Sequence, residues 1–309
     1  MRSVVGDSYS YGMTTWPTQR MVEVADGVVA VLQGDGEAGV SNAGLVLGDD
    51  GALVVDTMAF PEMARGIVAE LERRGARPDI VLNTHHHIDH IGGNSLLAEA
   101  GARLVAHPET VRAIEASGHP VAIYDGFMPA FRGRWAELDI VVPEPFDRAD
   151  DLELPRDAEL RAFVPAHTPA DVAVWLKRER VVFTGDLCFF GVAPLAVQAL
   201  LSGWVTALDA LIALEPAIVV PGHGPVGTTA DVALLRDYLT AVLAAGRAAV
   251  DSGVSLDDAL AELDPGPVGE WIEAERSIVN LERAMQEARS EIAPDDLGAI
   301  PGSFERLMS

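Results

Sequence analysis

The 309-residue sequence contains a single cysteine, Cys188, so no disulfide can form within the chain. A structural zinc site built from several cysteines is excluded for the same reason. Basic residues are also scarce: 22 lysines and arginines stand against 47 aspartates and glutamates, which gives a formal net charge of −25. Because such a field repels phosphate backbones and anionic lipids, we expect neither a nucleic-acid substrate nor binding to a membrane.

Long apolar runs and sorting signals are missing from the sequence as well. No stretch approaches the ~18 uninterrupted apolar residues of a membrane helix. The first twenty residues are largely polar and lack the apolar segment of a signal peptide. The sequence also lacks a Gly-x-Ser-x-Gly nucleophile motif. We therefore expect a cytoplasmic protein, and its hydrophobic content of 49% suffices for a large core.

Short apolar runs alternate with helical patterns over most of the chain, which predicts an α/β fold. The prediction has three parts: an N-terminal arm (1–20), a main domain (21–230) and a helical C-terminal extension (231–309) packed on that domain. Strands are expected at 27–32, 43–48, 52–56, 79–84, 102–106, 160–165, 172–176, 181–184 and 217–221, and tail helices at 232–250 and 268–292.

The most informative feature is a histidine box, residues 85–90, which directly follows the apolar run 79–84. Alternate residues of an extended turn point the same way, so His85 and His87 can bind one metal ion. Asp89 and His90, where a helix begins, can turn toward a second ion. Imidazole nitrogen and carboxylate oxygen are ligands that suit zinc.

Three further positions follow the same rule, an apolar strand that ends in a ligand-type side chain. They are His167, Asp186 and His223. Because strand ends gather loops from distant parts of a chain, these residues are expected to join the histidine box. The most economical division gives one ion His85, His87 and His167 and the other Asp89, His90 and His223, with Asp186 bridging both.

The remaining histidines and the cysteine are expected to have structural roles and not to bind metal. His86 points to the opposite side of the extended turn from its neighbours and is expected not to bind metal. His107 and His119 are expected to be a hydrogen-bonded structural residue and a surface-turn residue. Cys188 is expected to be a buried thiol.

The order of these motifs resembles the metallo-β-lactamase-fold hydrolases over about residues 27–226. The resemblance rests on Asp56, the histidine box, His167, Asp186 and His223 in Pro-Gly-His-Gly. It implies an αββα four-layer sandwich with a dinuclear zinc centre at one edge. It also implies that Asp56 braces the metal-binding loop.

The resemblance and the metal chemistry together imply a hydrolase. A hydroxide that bridges two zinc ions would attack a carbonyl carbon, and Asp89 and Asp186 would orient it. Iron or manganese could replace zinc in such a His/Asp site. A module in which zinc only stabilises the fold is a weaker alternative, because structural zinc sites are usually closed by cysteines.

Differences from the family pattern indicate which branch of the family the chain resembles. Zinc β-lactamases of the commonest class have Cys where this chain has Asp186, and the di-iron relatives have Glu where it has His87. Glyoxalase II-type thioesterases share the seven ligands but bind anionic glutathione with basic residues in the C-terminal part, where this chain has few. The chain is more similar to the cyclase/thioesterase branch of aromatic polyketide (antibiotic) biosynthesis. The shared motifs are 41–44, 165–168, 171–176, 207–211, 214–216, 274–276 and 280–281.

This second resemblance implies a thioesterase or cyclase that acts on an aromatic or polyketide acyl thioester, by hydrolysis, ring closure or both. An acyl carrier protein would be a possible donor of the substrate, and a homodimer is possible. Two stretches suit a flat apolar substrate: the aromatic stretch 124–135, with candidate pocket residues Tyr124, Phe127 and Phe131, and the apolar segment 188–195 after Asp186, with Phe190. Those of the first stretch could equally pack into the core. The alternative is a generalist hydrolase of lactones, esters or small thioesters.

Overall fold

The computed structural model describes residues 4–5, 10–11, 14–149 and 152–308. Its strands are β1 (Val4–Val5), β2 (Ser10–Tyr11), β3 (Thr14–Thr15), β4 (Gln19–Ala25), β5 (Val28–Gln33), β6 (Ala43–Leu47), β7 (Ala52–Val55), β8 (Pro78–Asn83), β9 (Arg103–Ala106), β10 (Glu144–Pro145), β11 (Glu159–Phe163), β12 (Asp171–Leu176), β13 (Val181–Phe183) and β14 (Ile218–Val220). Its α-helices are α1 (Pro61–Arg73), α2 (Ile88–Ile91), α3 (Asn94–Glu99), α4 (Pro108–Ser117), α5 (Val121–Phe127), α6 (Leu201–Ala213), α7 (Thr229–Ser252), α8 (Leu256–Glu262), α9 (Ser277–Ala288) and α10 (Phe304–Leu307).

Two mixed sheets form the centre of the molecule. In the larger sheet the strand order is β1-β4-β5-β6-β7-β8-β9-β10, antiparallel up to β7 and parallel from there on. In the smaller sheet, β11, β12 and β13 are antiparallel and β14 pairs with β13 in parallel. The hairpin between β6 and β7 turns at Asp49-Asp50-Gly51.

Three hydrophobic cores separate four layers. One core lies between the two sheets and contains Val28, Leu53, Leu82, Val174 and Phe183. A second core packs α1 and its neighbours on the outer face of the larger sheet. A third packs α6, α7 and α9 on the smaller sheet. The side chains of β5 are all buried because this strand has a core on each face. The predicted αββα sandwich is therefore confirmed.

The helical C-terminal region shares a core with the smaller sheet. Val232, Leu239 and Ala284 pack there with Trp204 and Val219. The predicted helix at 268–292 differs, because Gly266–Glu270 and Ala274–Arg276 form 3-10 turns and α9 begins only at Ser277. Two prolines and a glycine at 265–267 oppose a continuous α-helix there.

The N-terminal prediction is only partly open to comparison, because nine residues of the arm at 1–20 lie outside the described residues. β4 begins at Gln19, within the predicted arm, and pairs with β5 with one register shift between Glu23 and Ala25. The short helix α5 follows α4 in the chain, and none of its residues is buried. Across the described parts of the chain, no helix has the length and apolar character needed to cross a membrane.

Candidate metal centre

The topology brings the four sequence motifs to one edge of the sandwich. The histidine box follows β8, and Asp56 follows the neighbouring parallel strand β7. Asp186 follows β13, and His223 follows β14, again a parallel neighbour. Parallel neighbouring strands end at the same edge of a sheet, so each sheet contributes two adjacent loops to the site. His167 reaches the same site from the loop between β11 and β12.

The predicted ligands lie together in two clusters. His85, His87, His167 and Asp186 form one, and Asp89, His90 and His223 form the other. In each cluster the candidate ligand atoms lie within 4.8 Å of one another. The two clusters meet at Asp186, whose Oδ2 lies 3.4 Å from His167 Nε2 and whose Oδ1 lies 3.5 Å from His223 Nε2. This arrangement is consistent with a binuclear metal site.

Hydrogen bonds on the outer side of the histidines fix which ring nitrogen faces inward. His90 Nδ1 donates to Asp56 Oδ2 at 2.8 Å, and His223 Nδ1 donates to the Gly36 carbonyl at 2.9 Å. The Thr84 hydroxyl donates to Asp56 at 2.8 Å, so it accepts from His85 Nδ1 at 3.0 Å. The Nδ1 protons of these three histidines therefore point away from the centre, and each Nε2 presents a lone pair to it.

The Nε2 atoms that face the centre lie next to carboxylate oxygens, which are also hydrogen-bond acceptors. This arrangement indicates whether the residues fit a metal ion. His90 Nε2 lies 3.0 Å from Asp186 Oδ1, and both atoms are buried without a hydrogen-bond partner. His85 Nε2 is likewise without a partner and lies 3.6 Å from Asp186 Oδ2. Acceptors that face acceptors in a buried site repel each other unless a cation lies between them, so the donor set fits bound metal.

The pKa shifts of Asp186 and His223 also indicate that the site attracts positive charge. Burial would raise the pKa of Asp186, but the imidazoles of His90 and His223 hold it well below its usual value. Burial would lower the pKa of His223, but the carboxylates of Asp186 and Asp89 raise it to about 9. The ionised carboxylates therefore attract positive charge, and protons compete with metal ions for the imidazoles.

Asp56 has the geometry that the resemblance implies for it. Its two carboxylate oxygens accept from the Thr84 N–H at 2.7 Å, the Thr84 hydroxyl and His90 Nδ1. The backbone of Asp56 lies in the left-handed region, with φ of 61°. Such a conformation is unfavourable for a residue other than glycine, and here it is held by the surrounding contacts.

The motif Ser41-Asn42, whose role the sequence does not reveal, connects the two metal-binding loops. The Ser41 hydroxyl donates to the Asp89 carbonyl. The Asn42 side-chain amide donates to the carbonyls of Pro221 at 3.0 Å and Gly224 at 2.8 Å. The loop before β6 therefore holds the histidine box and the His223 loop in register.

A cavity of about 350 Å³ opens onto the centre, and ligands from both clusters line it. Tyr124 and Phe127 of α5 form part of its wall. Phe131 and Phe190 do not line it: Phe131 packs against Phe60 in the core outside the larger sheet, and Phe190 is buried in the core of the smaller sheet. The residues of the aromatic stretch at 124–135 thus divide between the cavity wall and the core.

Other wall residues lie outside the aromatic stretch at 124–135, among them Leu195 of the apolar segment 188–195 that the sequence predicts for the pocket. They come from the segment after Asp186 and from the C-terminal tail: Leu195, Val197, Gln198, Arg276, Ile300 and Phe304. The Arg276 guanidinium is buried, donates to the Ala193 carbonyl at 2.8 Å and pairs with Glu273. Its cationic carbon lies 5.7 Å from the ring centre of Phe127.

The histidines outside the two clusters have hydrogen-bonding roles. His86 lines the cavity and its Nε2 lies 2.9 Å from Gln198 Oε1. His107 is the N-cap of α4 and accepts from the Glu109 N–H. His119 contacts the Trp135 carbonyl at 2.6 Å. Cys188 is a buried free thiol.

Comparison with known proteins yields one family match. A model described as the metallo-beta-lactamase superfamily matches residues 36–223. The 2,4-dinitroanisole O-demethylase subunit alpha of Nocardioides sp. (strain JS1661) is 27% identical over 71% of this chain and 60% of its own length. A hydroxyacylglutathione hydrolase of Synechococcus sp. (strain JA-2-3B'a(2-13)) is 28% identical over 54% of this chain and 55% of its own length. The chain thus spans little more than half the length of these curated relatives.

Solved structures resemble the fold at low sequence identity. A metallo-beta-lactamase from Pontibacter korlensis is 20% identical and has a TM-score of 0.59, over 72% of this chain and 99% of that one. The DIM-1 metallo-beta-lactamase is 19% identical and has a TM-score of 0.56, over 73% and 98%. At these identities the likeness establishes the fold.

Proposed function

Since the chain belongs to the metallo-β-lactamase superfamily and carries two His/Asp clusters, it is a metal-dependent hydrolase, and we propose that its substrate is a thioester with an aromatic or polyketide acyl group. The observation that carries the proposal is the cavity at the metal centre. Its wall is mainly apolar and includes Phe127, Leu195, Val197 and Phe304. Such a wall favours a flat apolar acyl chain over a small polar one.

The thiol part of the substrate is expected to be uncharged. Among the described residues that line the cavity, Arg276 is the one lysine or arginine, and it is already paired with Glu273. A thiol with several carboxylates, such as glutathione, would therefore find little charge to balance it. The hydroxyacylglutathione hydrolases support thioester cleavage here, and the cavity supports a different acyl and thiol part.

The centre's own residues bind and orient the reactants. When bound, two divalent metal ions supply a hydroxide nucleophile at neutral pH and a Lewis acid for the carbonyl oxygen. His/Asp ligands suit zinc, which we propose as the metal. Asp89 and Asp186 stay ionised, because neighbouring imidazoles keep the pKa of both low despite burial. They accept the hydrogen of the nucleophile and aim its lone pair at the carbonyl carbon.

Tyr124 is the polar group that α5 brings to the cavity. Its ring packs 5.2 Å from that of Trp135 and 5.5 Å from that of His119, and no described residue hydrogen-bonds to its hydroxyl. Burial, together with the charge of Asp89, raises the pKa of Tyr124 to about 12. The phenol therefore stays protonated and donates a hydrogen bond to an oxygen of the substrate.

A second candidate is cleavage of an activated aryl ether. The relative named as a dinitroanisole O-demethylase subunit aligns with 71% of this chain, against 54% for the first hydroxyacylglutathione hydrolase. Hydroxide would add to the ring carbon that bears the methoxy group, and the methoxy group would leave as methanol after protonation. The aromatic wall of the cavity suits this ring as well.

A substrate panel on the zinc-loaded protein tests the proposal. The panel contains the 2-naphthoyl, polyketo and acetyl thioesters of N-acetylcysteamine, an acylglutathione, an aryl ester, a lactone, a β-lactam and 2,4-dinitroanisole. We expect the largest kcat/KM for the naphthoyl or polyketo thioester, by at least about tenfold. Product analysis of the polyketo thioester separates hydrolysis from ring closure. Faster turnover of the lactone, the acylglutathione or the ether would refute the proposal in favour of that substrate class.

A further inference from the structure

Three buried polar side chains of the C-terminal region form a row along one side of α9. Arg276 is the N-cap of α9, and Asn280 and Arg283 follow it by four and seven residues, so the three side chains lie on one side of the helix. Their residues are 3%, 0% and 0% exposed. We call them the α9 polar row. Long polar side chains are rarely this buried unless their donors and acceptors are satisfied.

The partner of the row is the backbone of residues 193–199, which we call the wall segment. Arg276 Nη1 donates to the Ala193 carbonyl at 2.8 Å, and Arg283 Nε donates to the Ala199 carbonyl at 2.6 Å. Between them, the Asn280 amide donates to the Pro194 carbonyl at 2.9 Å and accepts from the Ala196 N–H at 2.8 Å.

The wall segment contains neither helix nor strand, so the side chains of the row replace the backbone partners that a sheet would provide. Its residues divide between two environments. Ala193, Ala196 and Ala199 are fully buried in the core of the smaller sheet. Leu195 and Val197 line the cavity at the metal centre. The hydrogen bonds of the row therefore fix which side chains the wall segment turns toward the substrate.

The wall segment also contacts the metal-binding loop directly. Gln198 lines the cavity, and its Oε1 accepts from His86 Nε2 at 2.9 Å. His86 stands between two candidate ligands in the histidine box. The row, the wall segment and the histidine box are thus connected through successive hydrogen bonds.

We propose that the α9 polar row is a positioning element that sets the acyl specificity of the enzyme by holding the wall segment in place. The row lies beyond residues 36–223, the part that matches the superfamily model. The C-terminal region therefore shapes the substrate pocket without supplying any of the seven candidate metal ligands. This inference rests on the proposed function, in that the cavity is assigned to the acyl group.

Asn280 is the position to vary, because its two contacts with the wall segment depend on one side chain. Asn280→Leu has nearly the same size but leaves the Ala196 N–H without an acceptor and the Pro194 carbonyl without a donor. Asn280→Asp keeps the acceptor and loses the donor, which gives a milder second variant if Asn280→Leu does not fold. Tyr238→Phe is the matched control, because it removes the hydroxyl that Asn280 contacts at 3.0 Å on the other side and leaves the wall contacts intact.

Three quantities are measured: metal content per chain, kcat/KM for the naphthoyl and acetyl thioesters, and hydrogen–deuterium exchange of residues 193–199. In Asn280→Leu we expect the naphthoyl-to-acetyl ratio of kcat/KM to fall at least about tenfold, which is the effect of one orphaned buried hydrogen-bonding group. The Ala196 amide should exchange faster, while metal content equals that of the wild type. Tyr238→Phe should keep the wild-type ratio and exchange.

Two results would overturn the proposal. One is an unchanged ratio in a folded Asn280 variant. The other is an equal loss for both thioesters together with lost metal, which would assign the row to the metal centre as a whole.

If the wild type cleaves no thioester, the proposed function fails, but the inference is still tested by exchange and by titration with 2-naphthoate. We then expect at least about tenfold weaker naphthoate binding by Asn280→Leu than by the wild type. Equal affinity would refute the role of the row.

Discussion

The rings of Phe189 and His223 are stacked, with planes 2° apart and centroids 5.1 Å apart. The two residues also form a parallel β-bridge, and the Phe190 N–H donates to the His223 carbonyl at 3.2 Å. The imidazole of His223 is also held by the hydrogen bond that its Nδ1 donates to the Gly36 carbonyl. The imidazole is therefore fixed both in its plane and in its rotation, with Nε2 toward Asp89 and Asp186.

Phe189→Leu is expected to weaken metal binding at the cluster that contains His223. The smaller side chain removes the stacked face, so the imidazole gains freedom that binding must then restrict. We expect at least about a tenfold rise in the dissociation constant of the weaker-bound metal ion. Competition with a chromophoric chelator measures it.

Phe183→Leu is the control, because Phe183 is equally buried, 2% exposed, but lies in the core between the sheets. Both variants should lose about 1 to 3 kcal/mol of unfolding free energy. Only Phe189→Leu should change metal affinity. Equal changes in both variants would mean that metal binding merely follows stability.

Asp56→Asn tests the brace beneath the histidine box. An asparagine amide in this position offers one acceptor oxygen in place of two, so Thr84 and His90 cannot all be satisfied. We expect metal affinity to fall about 10- to 100-fold. Isothermal titration with zinc measures this loss.

Asp79→Asn provides the comparison for Asp56→Asn. Asp79 lies on β8, the strand that leads into the histidine box, but it is exposed and pairs with Arg77 at the surface. Its replacement should leave zinc affinity unchanged. A comparable loss in both variants would show that net charge rather than the brace determines affinity.

The α/β class and the candidate ligands could be predicted because both depend on local patterns that repeat in the sequence, whereas the αββα arrangement was implied by the family resemblance. Apolar runs that end in His or Asp occur at β8, β13 and β14, and parallel strands must end at a common edge. The position of a ligand such as His223 could be predicted from the strand that precedes it, here β14. No knowledge of distant contacts was needed for these predictions.

The substrate pocket could not be predicted in the same way, because its walls depend on contacts between residues far apart in the chain. Phe131 and Phe127 have the same local character, yet one packs against Phe60 and the other against Phe304 in the cavity wall. Asn280 and Ala196 are 84 positions apart, and no pattern in either segment indicates the hydrogen bond between them. Even β4 was missed, because its residues are only partly buried and its apolar pattern is weak.

Gly222→Ala is expected to disrupt the shared position of the two clusters. A Cβ at Gly222 would lie 2.0 Å from Asp186 Oδ1 and 2.7 Å from the Gly185 carbonyl carbon, so the carboxylate must move. Because Asp186 lies in contact distance of imidazoles from both clusters, we expect metal content and activity to fall together. Atomic absorption on the dialysed protein measures the metal.

Gly75→Ala separates this effect from a general loss of stability. Gly75 has a φ of 69°, and a Cβ there meets nothing within 4 Å. The substitution should cost about 1 kcal/mol of backbone strain and leave metal content unchanged. If Gly222→Ala binds as much metal as Gly75→Ala, the Asp186 carboxylate is not required in its present place.

Cys188 gives a prediction on pH dependence. Burial raises the pKa of its thiol to about 12, so the folded protein keeps the proton at pH values where the unfolded chain, with a pKa near 9, has lost it. The native thiol should therefore resist Ellman's reagent at pH 8, whereas the unfolded chain should react at one thiol per chain. The unfolded state binds fewer protons above pH 9, so this group's contribution to stability is present below that pH and is lost as the pH rises from 9 toward 12. Urea unfolding of the wild type and of Cys188→Ala from pH 8 to 11 measures the difference, and parallel curves for the two proteins would contradict the assignment.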